Sequence, residues 1–343
     1  MADHAAQNSP AADPPPRVRV RVIVVNYNAG DLLARCLTAL AAQTIDDFEV
    51  VIIDNDSVDG SLDGAIPADP RFNLRRQDEN TGFARGNNIG AADCTADWIA
   101  TLNPDAFAAP DWLERLLAAA ERHPETVMFG STQFDAADPG RLDGSGDAFF
   151  AAGLAWRGNH GRSLRLKPGE GNVFAPCAAA ALYRRTAFAA MGGFDETFFC
   201  YYEDVDLAFR LRLAGERCVQ VADAVVEHVS MATSGKGSDF VRFHSTRNGI
   251  WLFVKNMPGI LFWGLLPAHV LLQVALLGWA AMKGHAAPVW RGLAAGMRGL
   301  GPVLARRRTI QRGRTAATSD IAAALTWSPF KLLRRDHDVR PFD

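Results

Sequence analysis

The stretch RVRVRVIVVN, residues 17–26, begins as an alternation of arginine and valine and then becomes an unbroken apolar run. A strand with one wet face alternates, whereas a strand covered on both faces of a parallel sheet is apolar throughout. The run therefore reads as a strand entering the middle of a sheet. YNAGDLLARCLTALAAQ follows (27–43) and reads as a helix with Leu32, Leu33, Cys36, Leu37 and Leu40 on one face. FEVVIIDNDSVDGS supplies a second buried strand ending in polar residues, and FNLRRQ a third. GFARGNNIGAADC opens a helix, DWIATLNPDA is a fourth strand running into a loop, and PDWLERLLAAAERHP is a further helix. Strands alternating with helices predict an α/β fold with a mainly parallel sheet.

Downstream the pattern changes. Residues 133–171 are rich in Gly, Asp and Arg and read as mobile loops with at most short strands. Residues 175–196 return to small apolar residues and a helix that stops at Gly192 and Gly193. YYEDVDLAFRLRLAG (201–215) reads as a helix with Glu203, Asp204 and Asp206 at its start, beside Tyr201 and Tyr202. Acidic groups suit a helix N-terminus. Leu207, Ala208, Phe209 and Leu211 would then be buried, and Arg210 and Arg212 solvated. CVQVADAVVEHVSM is another strand, and ATSGKGSD a flexible loop. Residues 1–16 lack the apolar core of a signal peptide and read as a disordered arm. The expected division is an arm over 1–16, an α/β domain over 17–245, and a helical, basic and apolar region over 246–343.

Bulk properties narrow the function. A formal net charge of −2 over 343 residues argues against a general nucleic-acid binder. Cys36, Cys94, Cys177, Cys200 and Cys218 are scattered and form no CxxC pair, so neither a zinc site nor a disulfide framework is supported. A reducing, cytoplasmic compartment follows. ILFWGLLPAHVLLQVALLGWAAM (260–282) is about long enough to span a bilayer, and Arg306–Arg308, Arg312, Arg314, Lys331, Arg334 and Arg335 follow it. A single span would export that basic tail from a cytosolic domain, against the positive-inside rule. The expectation is helices lying on the inner membrane face with the arginines on lipid phosphates. A soluble helical subdomain packed on the α/β domain is the alternative.

In an open α/β sheet, ligands bind beyond the carboxyl ends of the strands. Asn26, Tyr27 and Asn28 follow the first strand; Asp54, Asn55 and Asp56 the second; Asn103, Pro104 and Asp105 the fourth. These clusters point to one polar crevice. Asp54 suits a base N–H or a ribose hydroxyl, with the cap of the next helix as the alternative. Asp105, after a proline that stiffens the turn, suits a hard divalent cation bridging phosphates, or a turn. NTGFARGNN (80–88) has glycines that let backbone N–H groups approach a ligand, with Arg85 in reach of a diphosphate. His228 ends a strand; it is either a packed histidine or, if Asp105 holds a metal, the group completing the shell.

In this order VIVVNYNAG, VVIIDNDSVDGS, NTGFARGNN, LNPDA, GGFDETFFCYYEDVDLAFRLRLAG and EHVSM resemble the family 2 glycosyltransferases of the GT-A fold, and within them the bacterial rhamnosyltransferase-like branch. The match runs over about residues 19–234. The resemblance implies inverting sugar transfer from a nucleotide-diphospho-sugar, with Mg²⁺ or Mn²⁺, onto a glycan or lipid-linked acceptor in cell-surface polysaccharide synthesis. It implies dTDP-rhamnose as the donor, with a UDP-hexose or galactofuranose donor as the alternative. Asp54 matches the residue that contacts the base. Asn26, Asn55, Asn80, Gly82, Arg85 and Asn103 complete the expected donor site with Asp105. NPD stands where the family has DxD, so Asp105 alone carries the acidic metal contact, with His228 beside it. Glu203 and Asp204 match the ED pair, with Asp204 as general base. Cys177, Ala178 and Tyr202 are expected at the acceptor. A different class of function, a non-catalytic nucleotide-sugar-binding subunit, would require those acidic groups to be idle.

Overall fold

The computed structural model describes residues 18–163, 165, 169–230 and 237–342. The arm expected over 1–16 and most of the loop expected over 232–239 lie outside the described residues.

Strand β1 (Val20–Asn26) is buried along its whole length and runs parallel to β2 (Phe48–Asp54) and β4 (Trp98–Leu102). β3 (Phe72–Arg76) extends the parallel block beyond β2. Arg21, an odd residue for a central strand, is 5% exposed. Its guanidinium reaches Glu49 at 2.7 Å, Asp93 at 2.5 Å and the Gly90 carbonyl at 3.1 Å. A buried cation persists only when paired in this way.

Helix α1 (Asp31–Ala41) starts later than the apolar pattern implies, because Asn28 and Gly30 take φ of 50° and 54°, which a right-handed helix does not contain. It buries Leu33, Cys36, Leu37 and Leu40 as expected; Leu32 is half-buried. Helix α2 (Gly82–Ala91) lies close on the sheet. Gly86 and Gly90, one turn apart, face Val25 and Ile23, where a Cβ would come within 2.8 and 2.6 Å.

Two regions differ from expectation. The span read as loops contains the end of β6 (Met128–Asp135) and all of β7 (Asp138–Ser145), β8 (Asp147–Phe150) and β9 (Leu154–Arg157). β6 pairs with β7, and β8 with β9 in a separate hairpin. Their Gly- and Asp-rich sequence has low strand propensity, and tertiary pairing overrides it. The alanine-rich stretch read as leading into a helix is first a strand, β11 (Ala180–Arg184), antiparallel between β4 and β6. Helix α4 (Arg185–Ala190) follows it, and the chain leaves through Gly192 and Gly193, both at φ 71°.

β12 (Cys218–His228) runs parallel to β6, and its end pairs with β5 (Ala106–Ala108). With β10 (Gly171–Asn172) at the edge, the sheet order is β10-β12-β6-β11-β4-β1-β2-β3. α1 and α3 (Trp112–Arg122) cover one face through Leu33, Leu37, Trp112 and Leu116. α2, α5 (Glu203–Leu213) and α6 (Asp239–Asn256) cover the other through Ala84, Leu207, Phe209 and Phe253.

Helix α5 also corrects an expectation: Arg210 is buried and Arg212 half-buried, both tied into the protein rather than solvated. Arg210 binds Asp206 at 2.8 Å and the carbonyls of Met191 and Gly193, both at 2.8 Å. Arg212 donates to the Phe174 carbonyl at 2.6 Å. Because α5 is enclosed, the neighbouring loop carbonyls need donors, and the arginines supply them. Helix α6 runs unbroken across residue 245. Its Lys255, 1% exposed, binds Asp195 at 2.5 Å and Asp206 at 2.7 Å, and Asn256 donates to Asp206 at 2.7 Å.

Helix α7 (Gly259–Met282) is long and apolar enough to cross a membrane, yet only Phe262, His269 and Ala280 are buried. His269, a polar residue within this apolar helix, stacks on Phe253 with centroids 4.1 Å apart and binds the Ala152 carbonyl at 2.8 Å. The opposite side exposes Trp263, Val270, Leu271, Val274 and Met282. α8 (Ala286–Arg298) and α9 (Leu300–Arg312) pack back on α6. Two of the arginines expected on lipid phosphates are used internally. Arg306 binds Asp195, and Arg307 caps α6 through the Val254 and Met257 carbonyls at 2.7 and 2.6 Å. The free carbonyls at a helix C-terminus attract such donors.

Candidate active site

A cleft of about 690 Å³ opens at the carboxyl ends of the parallel strands. Asn55, Asn80, Gly82, Asn103, Asp105, Cys177, Ala178, Tyr202, Glu203, Asp204 and His228 all line it. Asn26, Asp54 and Arg85 do not. Asn26 and Asp54 are buried at the strand ends, where the Asn26 amide donates to Asp54 at 2.9 Å and to Ser57 and Ser61 at 3.0 Å. Arg85 is half-exposed and turned towards Glu79 and Glu196 at 3.8 and 4.0 Å.

The far wall is built around a strained turn. Phe199, Tyr201 and Tyr202 have φ of 66°, 67° and 72°. Left-handed conformations at bulky residues survive only where the surroundings impose them. Here Asn248 of α6, fully buried, donates to the carbonyls of Phe198, Cys200 and Tyr201 at 3.0, 2.9 and 2.8 Å. On the other side Gly82, at φ 80°, makes room for Phe199, whose ring a Cβ would approach to 2.6 Å. The turn delivers the first residues of α5 into the cleft. Asp204 accepts from the backbone N–H of Ala178 at 3.0 Å and of Val205 at 2.8 Å. Burial raises its pKa, and these hydrogen bonds oppose the rise. Glu203 is buried, its Oε2 has no partner among the described residues, and burial followed by the Asp204 charge pushes its pKa well up.

The near wall carries a second group. His228 Nε2 lies 3.2 Å from Asp105 Oδ1 and 3.3 Å from the Asn103 amide nitrogen. Its Nδ1 is 2.8 Å from Asp143 Oδ2, which also binds Arg157. Ser230 bridges, donating to Asp143 at 2.8 Å and accepting from Arg157 at 2.8 Å. Burial would lower the His228 pKa, and the two carboxylates outweigh it and raise it. A carboxylate on Nδ1 orients an imidazole whose Nε2 faces the cleft, the usual support behind a metal-binding histidine.

The donor set fits a divalent cation. Asp105 offers carboxylate oxygen, His228 offers Nε2, and Asn103 Oδ1 is buried without a hydrogen-bond partner among the described residues. Hard oxygens with one imidazole suit Mg²⁺ or Mn²⁺. A second set, Asp147, Cys177 and Asp204, has ligand atoms within 4.8 Å of one another. It suits a cation less well. Burial pushes the Cys177 thiol up to about 12, and burial with the Asp204 charge raises Asp147 well above the carboxylate range. Protonated groups donate rather than ligate.

Asp143, Asp147 and Arg157 escape the sequence reading because they lie in the span read as loops. Asp147 lines the cleft, is buried, and leaves Oδ1 without a partner among the described residues. The one signal for it in the sequence is SGD, an acid placed directly after a glycine turn, here at φ 73°.

The α/β architecture with this cleft is that of the GT-A glycosyltransferases. Residues 21–192 match glycosyl transferase family 2, and the chain belongs to that family. It is similar to N-acetylglucosaminyl-diphospho-decaprenol L-rhamnosyltransferase of Mycobacterium tuberculosis (strain ATCC 25618 / H37Rv), at 32% identity over 243 residues, covering 63% of this chain and 77% of that protein. The protein is thus rhamnosyltransferase-like. Among solved structures, it resembles the mannosyltransferase PcManGT from Pyrobaculum calidifontis, in complex with GDP-Man and Mn²⁺, with a TM-score of 0.54. Identity there is 20%, over 94% of this chain and 89% of that one. GalNAc-T7 with UDP, GalNAc and Mn²⁺ also gives 0.54, at 17% identity, over 68% of this chain and 48% of that one.

Proposed function

We propose that the chain transfers a sugar, with inversion, from a nucleotide-diphospho-sugar to a hydroxyl of a glycan or lipid-linked acceptor in cell-surface polysaccharide synthesis. The observation that carries this reading is that Asp204 and the Asn103, Asp105 and His228 group line one cleft. dTDP-rhamnose is the proposed donor, supported by the similarity to the mycobacterial rhamnosyltransferase.

The acceptor oxygen forms its bond to the anomeric carbon as the bond from that carbon to the phosphate oxygen breaks. The nucleoside diphosphate leaves with the electron pair, and Asp204 takes the acceptor proton. A base should have a pKa not far below the working pH, and burial moves Asp204 in that direction. Asn103, Asp105 and His228 would hold Mg²⁺ or Mn²⁺, which when bound neutralises charge on the departing diphosphate. Asn55, Asn80 and Gly82 border the donor. Asn26 and Asp54 are proposed to shape its base pocket from beneath, with Arg85 reaching the diphosphate only by a rotamer change. Glu203, Cys177, Ala178 and Tyr202 border the acceptor.

The catalytic unit is proposed as 17–245 and the membrane-facing region as 246–343, with α6 shared between them. The exposed apolar side of α7 is proposed to rest on the inner membrane face, since its inward side, His269 included, is committed to protein contacts.

The test is a thermal-shift screen of nucleotide diphosphates and nucleotide sugars with and without Mg²⁺ or Mn²⁺. A ligand at a hundred times its Kd stabilises by about 2.7 kcal/mol. A metal-dependent shift with dTDP-rhamnose exceeding that with UDP-sugars supports the donor, and Asp204→Asn should then abolish turnover while sparing the shift. No shift with any nucleotide in a folded sample refutes the site.

A further inference from the structure

A second chamber, of about 220 Å³, lies beside the cleft. Its walls come from the β8–β9 hairpin (Leu154), from α6 (Arg242), and from α7 (Gln273, Leu276 and Trp279). Tyr202 and Ser245 line both cavities. The chamber therefore continues from the wall that carries Asp204 to the helix with the exposed apolar face. Its lining is chiefly apolar. Trp279 is 56% exposed, so the chamber's α7 wall reaches the protein surface where that apolar face lies. Arg242 is half-buried, and its guanidinium makes no ion pair or hydrogen bond among the described residues.

We infer that this chamber seats the lipid end of the acceptor: a saccharide carried on a diphosphate-linked hydrocarbon chain, with the chain along Leu276 and Trp279, a phosphate on Arg242, and the saccharide at Tyr202 before Asp204. This rests on the transferase reading above. Two properties select that occupant. An unpaired guanidinium in the wall of an apolar slot matches an anionic head on an apolar tail. Continuity with both the catalytic wall and the exposed face of α7 lets a chain that remains in a bilayer present its head to the base. A water-soluble glycan would leave the apolar walls and Arg242 unused.

The experiment uses the full chain and, as probe, farnesyl diphosphate, which carries no sugar and needs no turnover. The parent protein binds it. Arg242→Gln and Leu276→Trp, the latter filling the slot, each weaken binding at least tenfold, with nucleotide-sugar thermal shifts unchanged. In turnover, both variants raise KM for a diphosphate-lipid-linked saccharide at least tenfold and leave kcat/KM for the same saccharide on a short soluble aglycone unaltered. A parent that binds no farnesyl diphosphate, or variants that bind it as tightly as the parent, overturn the chamber whether or not the protein transfers sugar. Displacement of the probe by phosphatidylglycerol vesicles as readily as by unlabelled probe also overturns it, assigning the slot to bulk phospholipid. Loss of the nucleotide-sugar shift in the parent instead strikes the transferase reading and leaves the probe result standing.

Discussion

Lys255→Met tests how the α6 helix holds the catalytic helix. Lys255 sits among Asp195, Asp206 and the Phe198 ring, its ammonium 4.6 Å from the ring centroid. Methionine keeps the apolar stem and removes the charge. Deleting one partner of a buried ion pair costs about 3–5 kcal/mol, because the other charge is left uncompensated. Here Asp206 retains Arg210 and Asn256, and Asp195 retains Arg306 and Thr197, so the loss should fall near the lower bound, about 3 kcal/mol. The loss should also depend on pH. Burial alone would raise the Asp195 pKa, but Lys255 and then Arg306 outweigh it and hold it well below the usual range. A carboxylate depressed in the folded state contributes stability above its unfolded pKa of about 3.9, and that stability is lost as pH falls through the folded value. The variant lacks the strongest of these attractions, so its Asp195 takes up a proton at higher pH than in the parent. The difference between the two proteins is therefore full at pH 7 and narrows as pH falls through the variant's folded Asp195 value towards the parent's. Urea unfolding of both proteins across that range measures it. A loss below about 1 kcal/mol at pH 7, or one independent of pH, would refute the argument.

The remaining predictions concern the cleft and the exposed helix. Asp143→Asn removes the charge behind His228 and should weaken Mn²⁺ binding by about 10–100-fold in calorimetric titration; it also lowers Tm, because the Arg157 guanidinium loses its buried carboxylate partner. Gly82→Ala puts a methyl group into Phe199 at a left-handed φ, and should lower stability by about 1–3 kcal/mol in chemical unfolding and reduce turnover through the displaced turn. Asp147→Asn mimics the neutral acid that burial favours and should retain most of the turnover, whereas Asp147→Leu should not; equal losses in a steady-state assay would show that the carboxylate form is needed. Trp263→Asp with Leu271→Asp should reduce co-sedimentation with anionic vesicles and leave thermal stability unchanged, since both residues are exposed.

The parallel half of the sheet was legible because strands buried on both faces are written as apolar runs, as in β1 and β2. The polar residues at their ends were legible for the same reason, since each run stops where the chain meets the cleft. β7 to β9 and the alanines of β11 were not. Their strand character comes from partners distant in sequence, and their Gly, Asp and Ala residues have little strand preference of their own. Asp143, Asp147 and Arg157 were hidden with them. Helix α5 was recognised, but its arginines were misplaced, because helical periodicity alone does not reveal that loop carbonyls close over both sides.

Asn248 has a consequence for engineering. It belongs to the stretch beyond the residues that match the family, yet it clamps the turn that presents Asp204. Sequence similarity and mechanical integrity therefore have different borders in this protein. A fragment cut at residue 245, the expected edge of the α/β domain, would keep Asn103, Asp105, Asp143, Arg157, His228 and Ser230 of the near wall and lose the asparagine that holds the far one. Chimeras that exchange the C-terminal helices to change acceptor must carry an asparagine and a lysine in register with Asn248 and Lys255, or the transplanted helices will dock on a base that is no longer aimed.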